Sequence, residues 1–132
     1  MTFIDNSKAV KREIELATIR AITQACMTIE GQALLLAPVA TAWLKNSIGY
    51  EVSESELIGY VGTAVEYAIY VEFGTGEFAE NGKGRKGGWI FKDPFGEVHF
   101  TYGSRPKPYL RPAFEKNKKV LEEFLKKELG AI

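Results

Sequence analysis

Residues 61–76 read VGTAVEYAIYVEFGTG, and the way this stretch folds decides the architecture around it. Its polar side chains are Thr63, Glu66, Glu72 and Thr75; the rest is apolar, aromatic or glycine. Val65, Tyr67, Ile69, Val71 and Phe73 alternate as in a strand. Yet Tyr67 and Val71, or Ile69 and Phe73, also stack one helical turn apart. Gly74 directly after the run is where a helix places its left-handed stop. The spacing therefore predicts a short helix over 65–73 that ends in a sharp turn. Tyr67, Tyr70, Phe73 and Gly74 then build shape rather than a reactive site.

Upstream, Ile48, Tyr50 and Val52 alternate with polar residues, Ser53-Glu54-Ser55-Glu56 makes a turn, and Leu57–Thr63 returns, which reads as a hairpin. Thr41–Ile48 reads as a short helix, with Leu44 and Ile48 one turn apart. Before it, Val10, Ile14, Ala17, Ala21, Ala25, Ile29, Ala33 and Leu36 recur at helical spacing, and Leu16, Ile19, Ile22 and Cys26 widen the stripe. Asp5, Asn6 and Ser7 offer a cap, and Pro38 ends the run. A helix of some thirty residues is about 45 Å long. A compact chain of this length is only roughly 36 Å across. Either the helix breaks near Gly31, or part of its stripe serves another subunit, and the second reading is preferred.

Downstream, residues 77–88 hold four glycines among Lys83, Arg85 and Lys86 and read as a flexible loop. Trp89–Lys92 and Glu97–Tyr102 pair around Asp93-Pro94-Phe95-Gly96, a strong turn signal. Residues 105–112 are proline-spaced and extended. Pro112 suits the first turn of a final helix that turns Phe114, Leu121 and Leu125 inward. Glu115–Lys119, Glu122–Lys126 and Glu123–Lys127 are favourably ordered pairs on its wet face. The expected fold is α+β in a single domain over 1–132: a long N-terminal helix, a small antiparallel sheet of two hairpins, a short central helix and a C-terminal helix.

Composition narrows the function. With 132 residues, 45% hydrophobic, the chain carries a normal globular core. Seventeen basic and seventeen acidic residues cancel to zero, which removes the basic excess of a backbone-gripping nucleic-acid protein and suits a protein meant to associate. The single cysteine, Cys26, forms no intrachain disulfide and falls on the apolar stripe, where a buried thiol is expected. The first residues show no signal core, and the apolar run 33–40 is too short for a membrane span. A soluble intracellular product with no membrane partner follows.

Catalytic chemistry finds no support. His99 is the only histidine and lies beside Glu97 and Thr101 on the polar face of its strand, opposite Val98, Phe100 and Tyr102. One histidine and a distant cysteine make no metal site. Glu66 and Glu72 point to different faces of a short helix, so a carboxylate pair is set aside in favour of an ion pair with Arg105 or Arg111. Residues 82–87 match G-x-G-x-x-G but lack the preceding strand and following helix that a dinucleotide site needs. Hence no catalytic, cofactor or metal residues are assigned. Lys83, Arg85 and Lys86 remain as a solvated loop, an assembly loop that orders on docking, or a phosphate contact without base readout.

Three blocks, in order, resemble the tailed-phage head–tail connection proteins, the tail completion or neck family. Ala37-Pro38-Val39 with Thr41–Ile48 is similar to the family's A-P-V-x-T-G-x-L-x-x-S-I, with Ala42 at its usual glycine and Ala40 where an acidic residue is common. Val61-Gly62-Thr63, Tyr67-Ala68 and Tyr70–Gly76 resemble the central signature, with Ile69 at a frequent proline. Arg105-Pro106-Lys107-Pro108-Tyr109-Leu110-Arg111-Pro112-Ala113-Phe114 resembles the closing motif. The resemblance implies a non-enzymatic virion part made in the bacterial cytoplasm. It implies a homo-oligomeric ring, six-fold by analogy with tails, whose partners are the tail tube and head connector proteins. The alternative from the residues is a small nucleic-acid-binding or DNA-packaging accessory using Lys83, Arg85 and Lys86 beside Trp89, without sequence-specific recognition.

Overall fold

The computed structural model describes residues 5–38 and 42–132; Val39, Ala40 and Thr41, part of the first block above, lie outside the described residues. Helix α1 (Ser7–Leu36) runs unbroken for 30 residues, through Gly31. The Asp5 carboxylate accepts the Ser7 N–H at 2.9 Å and supplies the start, and Ala37 turns to extended geometry before Pro38. The buried face of α1 carries Ala17, Ala21, Ala25 and Ala33 with Ile22, Cys26 and Ile29. Alanines there let neighbours approach closely, and α5, α4 and the first hairpin pack along this face. The N-terminal turns stay bare: Val10 and Ile14 are both nearly half exposed. The helix thus overhangs what it packs against.

Helix α2 (Ala42–Ser47) leads into β1 (Gly49–Ser53) and β2 (Ile58–Gly62), paired antiparallel with Glu51 opposite Tyr60. Leu57 closes their loop in left-handed geometry, φ 57°. Helix α3 (Ala68–Phe73) settles the ambiguous stretch as helix, and Gly74 caps it at φ 81° with its N–H on the Tyr70 carbonyl. A single 3₁₀ turn, Gly76–Phe78, follows. Strands β3 (Trp89–Lys92) and β4 (Val98–Thr101) form the second hairpin. The hairpins do not join: each is its own two-stranded sheet. The architecture is α+β.

The C-terminal helix is divided into α4 (Leu110–Lys116) and α5 (Val120–Gly130). Asn117 breaks it, donating its side-chain amide to the Ala113 carbonyl at 2.8 Å and competing with the helical ladder. One expectation is qualified here. Phe114 and Leu121 face α1 as expected but are incompletely covered, 42% and 37% exposed, because they line an open apolar cleft with Ile22, Cys26 and Ile29. Leu125 is half-buried and Ala113 is the fully buried residue. Glu122 meets Lys126 at 3.2 Å as expected, while Glu115 takes Lys118 at 3.0 Å rather than Lys119.

The main core gathers Ile29, Ala33, Ala37, Leu44, Ile48, Ala68, Tyr109 and Ala113. Leu44 and Ile48 come from the first block, Ala68 from the second and Tyr109 and Ala113 from the third. Hydrogen bonds stitch the same blocks: the Ser47 and Thr63 hydroxyls meet, and Thr63 accepts the Val65 N–H at 3.1 Å. Among the described residues no helix is long and apolar enough to cross a membrane.

Candidate functional site

Glu72 is the one buried charged residue of the described core, 6% exposed. Its carboxylate accepts the N–H groups of Tyr109, Leu110 and Arg111 at 2.9, 3.0 and 2.8 Å. Those amides open α4, whose start has no capping side chain of its own. A helix leaves its first amides unsatisfied. Here Glu72 takes three donors at that end, and Pro112 has none to offer. A carboxylate at a helix N-terminus also opposes the positive end of the dipole.

Arg111 completes the clasp. Its Nε donates to Glu72 Oε1 at 3.0 Å, and its two terminal nitrogens reach the Glu80 carboxylate at 2.8 and 3.1 Å. One of them also donates to the Glu72 carbonyl at 2.9 Å, and the guanidinium lies 4.4 Å from the centre of the Phe73 ring. This planar fork joins α3, the glycine loop and α4, a geometry lysine does not reproduce. Arg105 sits separately, 4.8 Å over the Phe78 ring.

Burial pushes the Glu72 carboxyl up, but the backbone amides of Tyr109, Arg111 and Leu110 and the Arg111 side chain outweigh it. The net pKa lies below its ordinary 4.5. A lowered folded-state pKa gives stability that is complete above 4.5 and is lost as pH falls through the folded value. Urea midpoints measured against pH should therefore decline below that point. Asp5, Asp93 and Glu128 share the direction, so Glu72→Gln should flatten part of the decline. An identical slope in the variant would remove Glu72 from the account.

Beside the clasp, Ile69, Tyr70 and Phe73 of α3 face the glycine loop and Trp89 across an apolar groove of about 780 Å³. Lys83 and Arg85 stand on its edge, with Arg85 held 5.6 Å over the Trp89 ring. Lys86 is exposed away from the lining. Gly84 lies backbone to backbone against Gly76, leaving no room for a Cβ. Gly84→Ala should open residues 79–88 and speed tryptic cleavage after Lys83, Arg85 and Lys86 roughly ten-fold or more. Unchanged cleavage would mean that this approach does not hold the loop. Tyr67 packs against the core instead.

The second hairpin has little cover. Ile90, Val98, Phe100 and Tyr102 are each more than half exposed, and Phe95 at its tip is 92% exposed. The apolar face of this hairpin is thus open. At the tip His99 Nε2 donates to Asp93 Oδ2 at 2.8 Å and its ring stacks on Phe91 at 5.3 Å. Asp93 Oδ1 accepts the N–H groups of Phe95 and Glu97, both at 2.9 Å. Asp93, Glu97 and His99 lie close enough to suggest a cation. The bonds of Asp93 account for the grouping as a capped turn.

Sequence reasoning missed Glu80 and the capping role of Glu72. The usable signal was a helix beginning at 110 with no Ser, Thr, Asp or Asn at its start, so that its cap had to come from elsewhere. Comparison with known proteins gives one family: the model described as "Bacteriophage HK97-gp10, putative tail-component" matches residues 2–74, more than half the chain. No curated protein and no solved structure matches.

Proposed function

This chain belongs to the HK97-gp10-like family of bacteriophage tail components, and on that premise we propose that it completes the tail at its junction with the head, as a homo-oligomeric ring. It acts there by shape, not catalysis, and is assembled in the host cytoplasm beside the tail tube and head connector. A six-fold ring matches the symmetry of tails.

One observation carries the reading. The chain exposes 9571 Å², whereas a compact monomer of 14.7 kDa should expose about 6,900 Å². The excess is about 2,600 Å², more than two standard interfaces at about 800 Å² per partner. Two interfaces per subunit are what a ring needs, and the remainder suits contact with tube or connector. The surplus is also apolar in the places that matter: the overhanging turns of α1, the α3 face and the second hairpin. Clustered exposed apolar side chains of this kind mark interaction surface. The groove's apolar lining favours protein over a phosphate backbone as its ligand.

These patches lie on different elements, which lets copies meet through unlike faces; contacts of that kind close into a ring where the rotation between copies permits. Sedimentation velocity across a concentration series, followed by negative-stain imaging, tests this. Ring-shaped particles, free or on purified tails, are expected. A chain that stays monomeric in solution and forms no ring on tails would overturn the proposal.

A further inference from the structure

We propose that the tip of the second hairpin is a plug for the α3 groove of a neighbouring copy, with Phe95 as its anchor. The inference rests on the ring reading above and names the contact that closes it. Phe95 is the most exposed large apolar residue of the described chain, at 92%. Its turn does not require it, because Asp93, Pro94 and Gly96 already supply the turn chemistry. An aromatic ring held out on a capped, rigid turn costs solubility unless something receives it.

The receiving shape is on the same chain. The groove formed by Ile69, Tyr70 and Phe73 is open, apolar and, at about 780 Å³, large enough for a phenyl ring and part of its turn. Charges match as well. Glu97, its side chain 75% exposed, flanks the plug, and Lys83 and Arg85 edge the groove. Arg85 is already steadied over Trp89, so little ordering is needed on docking.

Geometry forces the contact to be intermolecular. Trp89, at the root of the hairpin, is itself part of the groove wall. The tip lies four strand residues further out, about 13 Å at about 3.3 Å each, and a paired strand cannot fold back on itself. Plug and groove therefore belong to different copies. Such a contact leaves one free plug and one free groove at the ends of every open chain, so it propagates until it closes.

At concentrations where the parent is monomeric, Phe95→Ala should keep the parent's melting temperature, since the 92% exposed ring packs on little among the described residues. It should weaken self-association roughly 10- to 150-fold. Tyr70→Asp should do the same from the groove side. The decisive arm mixes the two: Phe95→Ala retains a groove and Tyr70→Asp retains a plug, so together they should form one-to-one dimers that grow no further. Placing p-benzoylphenylalanine at position 95 should crosslink to residues 69–73 of another copy. Adducts elsewhere, or none at the highest soluble concentration, overturn the plug. If Phe95→Ala assembles as tightly as the parent, this contact is wrong while the ring stands. If the parent forms no ring even on tails, the ring reading fails and the plug with it.

Discussion

Glu72→Ala should destabilise the chain by about 3–5 kcal/mol. The carboxylate is almost wholly enclosed, its side chain only 8% exposed, and four donors converge on it. Removing it strands three amides at the start of α4 and an arginine whose other partner, Glu80, is on the surface. Hydrogen bonds to a charged group contribute about 1.5–3 kcal/mol each, and unpaired buried donors bear their full desolvation cost. Against a total stability of about 5–15 kcal/mol, the change is large. Melting should fall by roughly 10–20 °C, and calorimetry measures it directly. A drop of only a degree or two would mean that water replaces the cap without loss.

Arg111→Ala should cost less, about 1–2 kcal/mol, because its side chain is 43% exposed and solvent screens its ion pairs. Glu72 keeps its three amides in that variant, so no buried charge is left unpaired. What goes is the link to the glycine loop: Glu80 loses both of its bonds and Phe73 loses its stacked cation. The loop should become more protease-sensitive even where the helices stay folded. Arg111→Lys should recover only part of this, since an ammonium cannot bridge two carboxylates and a carbonyl in one plane. The double variant with Glu72→Ala should lose less than the sum of the singles, by about 1–2 kcal/mol. Strict additivity in the urea midpoints would show that the two side chains act independently.

The backbone plan was legible because local signals agreed. Helical spacing from Val10 to Leu36, the Asp93–Gly96 turn and Gly74 after an apolar run each named their own element. Within 61–76, residues 68–73 resolved as helix because Ala68 and Val71 turn toward the core while Ile69 and Tyr70 face out, a three-to-four-residue alternation rather than a two-residue one. The clasp was less legible, because it joins residues nearly forty positions apart. Nothing near Glu72 marks it as the cap of a helix at 110, and Glu80 sits in a segment whose glycines and cations suggest solvent. Phe114 and Leu121 do face α1, yet stay 42% and 37% exposed: apolar spacing marks a face, but it does not say how completely that face is covered. The second hairpin carries the same lesson, with Val98, Phe100 and Tyr102 forming an apolar face that stays more than half exposed among the described residues.

The central claim is a shape-built ring at the head end of the tail. Electron cryomicroscopy of tails assembled with a tagged copy of this chain, compared with tails lacking it, tests that claim most directly. The account predicts an added ring at the head-proximal end, carrying the tag and missing from the deficient particles. Tag density along the tube or at the distal tip, or an unchanged head-proximal end, would contradict it.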